Sequence, residues 1–193
     1  PLYTADRLEL IEAGNFEEDL SRLEGVDWII EAIVENLTAK SNLLEQVERY
    51  WKPGTIVSTN TSGISVHRMV QGRSDAFRRH FLGTHFFNPP RYMKLVELIP
   101  TEATDPVLIR QISEFCENKL GKGIVLAKDT PNFIANRIGT YSLLMTFQEM
   151  KALGMSVSSV DDLTGTLIGR PKSATFRTLD LVGLDTFIHV AEN

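Results

Sequence analysis

The sequence predicts an open α/β sheet followed by an all-helical segment, and three observations lead there. Apolar runs of strand length alternate with helical patterns from VDWIIEAI at 26–33 to GIVLAK at 123–128. The run FLGTHFF (81–87) is joined to KLVELI (94–99) by too few residues for a crossover helix. From Pro131 onward the pattern is helical, led by the mostly apolar stretch FIANRIGTYSLLMTFQEMKAL. The change of character falls near Lys128-Asp129.

Taken in order, Asn15 can cap a short helix, FEEDLSRLE, that Gly25 ends, and VDWIIEAI then reads as a buried strand. A helix from Leu37 to Tyr50 stops at Pro53-Gly54, and TIVSTN is the next strand. After the loop TSG comes a short helix near Val66 to Val70, then the strand FLGTHFF. KLVELI is another strand, expected antiparallel to FLGTHFF. Asp105-Pro106 then opens a helix with Asp as N-cap and Pro at the first helical position. Gly121 ends that helix, and GIVLAK follows as a strand.

Composition narrows the functional classes. With 42% hydrophobic residues in 193, the chain can bury a real core. A net charge of -5 without a dense run of Lys or Arg gives no electrostatic footprint for nucleic acid. No apolar run approaches the roughly 18 residues of a membrane span. The opening PLYTADRLEL lacks the basic and apolar regions of a signal peptide, so a cytosolic protein is expected. Cys116 is the sole cysteine and is expected as a buried thiol. The chain starts without Met and stops mid-pattern in FIHVAEN, so we expect a piece of something longer.

In open α/β sheets, ligands bind beyond the carboxyl ends of the strands. Those ends are polar here: the first strand exits into Glu35-Asn36, the second into Thr61-Ser62-Gly63, and the third carries His85 near its exit, with Asn88 after it. A carboxylate also sits inside the apolar run Leu95-Val96-Glu97-Leu98-Ile99, where leaving it unpaired would cost several kcal/mol. An antiparallel return can bring Glu97 up to the His85 ring, fixing its tautomer and stabilising the imidazolium form. On residues alone, a His-Glu pair beside such a crevice suggests general base catalysis, worth roughly 10² to 10⁴ in rate. A structural ion pair or a glutamate at a solvated sheet edge remains open at this point.

The segments EAIVENLTAK, STNTSGIS, GTHFFNPPRYMKLVELIP, KDTPNFIANRI and DLVGLDT, in this order and spacing, resemble the L-3-hydroxyacyl-CoA dehydrogenase family of fatty-acid β-oxidation. GRPKSATFRTLD at 169–180 is more similar to large bacterial multifunctional members than to the short mitochondrial enzyme. The resemblance implies a Rossmann-like NAD-binding domain over 1–128 and a helical C-terminal domain over 129–193. It implies NAD as cofactor and an acyl-CoA thioester as substrate. His85 would take the substrate's hydroxyl proton, Glu97 would orient His85, and Ser62 and Asn136 would hold the substrate's oxygens. Glu35 would bond the nicotinamide ribose with Lys40 in support, while Asn88, Asn60 and Ser62 would line the nicotinamide pocket. The Pro89-Pro90 pair would stiffen the loop after His85.

Departures from the family pattern matter as well. The family's opening strand with its G-x-G-x-x-G loop, and the acidic residue after it, are absent. GKGIVL at 121–126 does not replace that loop, because it opens a strand and lacks the third glycine. The first βαβ unit is therefore expected to be missing from this chain. Two further readings stand beside the dehydrogenase: a non-catalytic CoA-ester-binding or dimerisation module, and another β-hydroxyacid dehydrogenase. The HFFNPP context argues against the second, many of whose members use a lysine base. His67, His80 and His189 read as surface or packing residues, Trp28, Phe86 and Phe87 as core, and Arg78-Arg79 as a solvated turn. The apolar helix IGTYSLLMTF leaves a homodimer open.

Overall fold

The computed structural model describes residues 5–192. The first four residues of PLYTADRLEL and the side chain of His189 lie outside the described part. Five strands, β1 (Trp28–Glu31), β2 (Ile56–Thr59), β3 (Phe81–Phe86), β4 (Leu95–Pro100) and β5 (Gly123–Leu126), form one sheet in the order β1-β2-β3-β4-β5. The first three run parallel, β4 returns antiparallel to β3, and β5 runs parallel to β4.

Helices α1 (Leu37–Tyr50), α2 (Val66–Met69) and α3 (Asp75–Arg79) link the parallel strands, and α4 (Pro106–Asn118) links β4 to β5. Local chemistry starts each of them. Asn36 accepts from the Ala39 amide at 2.9 Å to cap α1, and Asp105 accepts from the Val107 amide at 2.9 Å to cap α4. Ser74 caps α3 by accepting from the Phe77 amide, a start signal visible in RSDAFRRH that the sequence reading passed over.

The alternation of side chains along each strand sorts the core into two layers. Ile29, Val57, Phe81 and Ile99 pack with Leu44, Val47, Val66, Met69 and Phe77 of α1–α3. Leu82, Val96 and Leu98 pack with Leu108, Ile112 and Cys116 of α4. Both faces are covered over β2 to β4, which is why these strands read as continuous apolar runs, while Ile30 and Leu126 on the edge strands stay exposed. Cys116 is fully buried, and burial pushes its thiol up from the ordinary value.

Beyond β5 the chain is helical: α5 (Ala135–Ala152), α6 (Val157–Thr164), α7 (Phe176–Val182) and α8 (Leu184–Glu192). Val160, Phe176 and Leu179 centre a third cluster, with Leu143, Phe147 and Phe187 packed on it. Two segments differ from expectation. The FEEDLSRLE segment forms turns and then a 3-10 helix over Leu20–Gly25, although Asn15 Oδ1 does accept from the Glu17 and Glu18 amides at 2.9 Å. No residue of that helix is fully buried: Leu23 packs only part-buried against the core layer of α1, and the segment stays 3-10. The strand expected over 26–33 narrows to Trp28–Glu31, because the Ile33 amide donates to the Glu31 carboxylate at 2.7 Å and leaves the ladder.

Candidate functional site

His85 and Glu97 face each other across the antiparallel β3–β4 register. His85 Nδ1 lies 2.8 Å from Glu97 Oε2, and the two side chains are 4% and 0% exposed. An ionised carboxylate can only accept, so Nδ1 carries the proton and Nε2 is the ring's basic atom. Glu97 Oε1 is equally engaged: it accepts from the amides of Ile134 at 3.0 Å and Ala135 at 2.8 Å, at the start of α5. That helix has no capping side chain of its own, so Glu97 caps it from the sheet. Burial alone would raise the Glu97 carboxyl, but the bonds from His85, Ala135 and Ile134 outweigh it and hold the group below the usual carboxylate value.

The rings of Phe87 and Phe133 flank His85, with centroids 4.3 and 5.8 Å away. Phe87 was expected in the core with Trp28 and Phe86. It shields the imidazole instead, while the other two pack against the α4 layer. Lys122 holds the Pro-rich loop that follows, donating to the carbonyls of Pro90 and Met93. Asn88 is exposed at the start of this loop. The neighbouring Asn60 accepts from the Phe86 amide at 2.9 Å and so ties the exits of β2 and β3 together.

A second carboxylate organises the exits of β1 and β2. Glu35 Oε1 accepts from Thr61 Oγ1 at 2.5 Å, from the Ser62 amide at 2.9 Å and from the Gly63 amide at 3.3 Å. Its Oε2 lies 3.3 Å from Lys40 Nζ, and the side chain stays 31% exposed. Burial pushes the Glu35 carboxyl up, yet the Thr61 and Ser62 hydrogen bonds and the Lys40 ammonium bring it below the usual value. Asn136, one residue into α5, donates from Nδ2 to the Ser62 carbonyl at 3.2 Å. The loop Thr61-Ser62-Gly63 therefore lies between Glu35 on one side and α5 on the other.

The fold gathers Glu35, Lys40, Asn60, Ser62, His85, Glu97 and Asn136 at the exits of β1, β2 and β3. Arg78 and Arg79 lie before β3, at its other end, paired with Asp75 at 2.7 Å and Asp105 at 3.0 Å. His67 is exposed, and the His80 ring lies tilted against Trp51 at a centroid distance of 5.2 Å, with its Nδ1 2.9 Å from the Ala76 carbonyl. Among the described residues, no cluster of three or more His, Cys, Asp or Glu could hold a metal, and no helix is long and apolar enough to cross a membrane.

Residues 2–130 match the family described as 3-hydroxyacyl-CoA dehydrogenase, NAD binding domain. The chain belongs to the 3-hydroxyacyl-CoA dehydrogenase family. It is 61% identical over 193 residues to a probable 3-hydroxyacyl-CoA dehydrogenase of Bacillus subtilis, covering all of this chain and 24% of that protein. A probable 3-hydroxyacyl-CoA dehydrogenase of Deinococcus radiodurans is 53% identical over 186 residues, 96% of this chain and 54% of that one. The crystal structure of FadB2 from M. tuberculosis superposes with a TM-score of 0.82 at 32% identity, covering 90% of this chain and 60% of that one. This member thus spans about a quarter to a little over half the length of the relatives it matches.

The cofactor of the 3-hydroxyacyl-CoA dehydrogenase family is NAD. The Glu35 side chain is a part-exposed carboxylate to which a ribose hydroxyl can donate, and Lys40 Nζ lies 3.3 Å from its Oε2. The phosphate-cradling glycine loop is not within the 193 residues. Several residues that build the site were missed in the sequence: Glu31, Thr59 and Asp129. Asp129 accepts from Ser65 Oγ and from the Val66 and His67 amides, each at 2.9 Å, pinning the segment after β5 to the start of α2. Glu31 had a legible signal, since it stands inside the apolar run WIIEAIV just as Glu97 stands inside LVELI.

Proposed function

We propose that the protein carrying this chain oxidises the 3-hydroxyl of an L-3-hydroxyacyl-CoA thioester to a ketone, in fatty-acid β-oxidation. The observation that carries this reading is the 2.8 Å bond between His85 Nδ1 and Glu97 Oε2 at the exit of β3. His85 takes the hydroxyl proton at Nε2, and Glu97 holds the ring in that tautomer and balances the charge that develops. NAD⁺, when bound, supplies the acceptor for the C3 hydride, so that the C3–O bond becomes a carbonyl. Ser62 and Asn136 hold the substrate's oxygens, Glu35 and Lys40 take the nicotinamide ribose, and Asn60 and Asn88 line the nicotinamide pocket.

The division at 128/129 belongs to the same proposal: reaction between a dinucleotide-binding portion and a helical portion that supplies Asn136. A cytosolic location fits it, as does a homodimer contact through exposed α5 residues such as Ile138 and Tyr141. The exposed α5 residues Ile138 and Tyr141 favour one other reading, a non-catalytic CoA-ester-binding or dimerisation module. The test is His85→Gln in the protein as its gene encodes it, assayed with acetoacetyl-CoA and NADH. A loss of about 10² to 10⁴ in kcat is expected. Wild-type turnover in a folded variant would overturn the role of His85, and absence of turnover in the unmutated protein would favour the module.

A further inference from the structure

We propose that Glu31 is a positioning residue for the cofactor side of this site: it fixes Lys40 and the turn that carries Glu35, and so sets where the Glu35 carboxylate sits. The inference rests on the reading of Glu35 as the ribose acceptor.

Glu31 ends β1 on the face covered by α1, two residues beyond the core residue Ile29. Its side chain and that of Lys40 are 2% and 1% exposed. Lys40 Nζ donates to Glu31 Oε1 at 2.8 Å and to Oε2 at 3.0 Å, while its distance to Glu35 is longer, 3.3 Å. The turn between these two carboxylates is gripped from both sides. The Ile33 amide donates to Glu31 Oε1 at 2.7 Å, and the Ile33 carbonyl accepts from Lys40 at 3.1 Å. From β2, Thr59 Oγ1 donates to Glu31 Oε2 at 2.5 Å, two residues before the Thr61 hydroxyl that bonds Glu35. Glu31 thus pins the exits of β1 and β2 at once.

Stability is a weak reason for this arrangement. A buried ion pair is often no better than well-packed apolar residues of the same volume, because two charges must be desolvated. Competition for Lys40 does account for it. With Glu31 holding the ammonium at 2.8 and 3.0 Å, Lys40 stays 3.3 Å from Glu35 Oε2, and the Glu35 side chain remains 31% exposed. Without the Glu31 charge, Lys40 is drawn closer to Glu35 Oε2 than 3.3 Å and competes with a ribose hydroxyl for it.

Glu31→Gln, made in the protein as its gene encodes it, should raise the Kd and KM for NADH about tenfold, the scale of one hydrogen bond to a charged group. The kcat at saturating NADH should change far less. A purely structural role has the opposite signature, with a lower melting temperature and a smaller active fraction at unchanged KM. That result overturns the proposal. Thr59→Val should move KM in the same direction by a smaller factor, and Thr59→Ser, which keeps the hydroxyl, should restore it. Equal KM values for the two Thr59 variants also overturn the proposal, and this pair decides should Glu31→Gln not fold. Glu35→Gln is measured alongside. If it leaves NADH affinity intact, the ribose reading of Glu35 fails; if it weakens NADH while Glu31→Gln does not, only the role of Glu31 fails.

Discussion

Replacing Glu97 by Gln tests the centre of the site, because that side chain serves two partners at once. The amide keeps the shape of the carboxylate and one acceptor oxygen. If that oxygen stays on the Ile134 and Ala135 amides, the NH₂ group meets His85 Nδ1 donor to donor. The ring must then adopt the other tautomer, with its proton on Nε2, the atom that is to accept the substrate's proton. A wrong tautomer of this kind costs up to about 10⁴ in turnover, so kcat should fall by about 10² to 10⁴. The α5 amides would keep neutral acceptors in place of a charged one, at about 1 kcal/mol each. For a unit of this size, a total near 2 kcal/mol corresponds to about 4–8 °C in melting temperature. Steady-state rates with acetoacetyl-CoA and NADH, with hydrogen exchange at Ile134 and Ala135, read both effects. A folded variant that turns over at the wild-type rate would show that the bond at Nδ1 does not govern the chemistry.

Three further outcomes follow from the same geometry. A Cβ at Gly63 would lie 2.8 Å from Asn132 Oδ1, so Gly63→Ala must shift either the Asn132 side chain or the loop that carries Ser62, at about 1–3 kcal/mol; an unchanged stability and an unchanged acyl-CoA KM would contradict this. Glu35 and Glu97 are both lowered from the ordinary carboxyl value of 4.5, so the unfolded chain binds more protons and their stabilisation is complete above that value. It drains away as pH falls through the lowered values, and the urea midpoint should drop below about pH 4.5, less steeply in Glu97→Gln; a midpoint that climbs on acidification rules the linkage out. Asp161 accepts from the Thr175, Phe176 and Arg177 amides at 3.1, 2.7 and 3.2 Å, so Asp161→Ala should loosen α7 and lower the melting temperature by about 5 °C without altering NADH affinity, as calorimetry and titration would show.

The sheet was legible because its signals are local. Leu37 to Tyr50, bounded by Asn36 and Pro53-Gly54, is a helix with the expected limits, since a cap and a breaker act within a few residues. The antiparallel return of β4 followed from the length of one connection. Asn15-Phe16 through Gly25 was less legible, because whether a short capped segment completes an α-turn depends on what covers it, and no local signal reports that.

The site was half legible for a related reason. A charged residue in an apolar run announces that a partner must exist, and for Glu97 a histidine stood one short return away, so the partner could be named. The same announcement at Glu31 has its answer in Lys40 on α1 and Thr59 on β2, which only the packing of that helix on the sheet brings within reach. Glu97 also satisfies the first amides of α5, nearly 40 residues further on, and no spacing in the sequence connects them. The two buried carboxylates divide the work between them: Glu31 locks the exits of β1 and β2 to one another, and Glu97 locks β3 and β4 to the helical segment. The His85 ring is held by the same side chain that seats α5, so a displacement of the α5 start is felt at the imidazole through a single carboxylate.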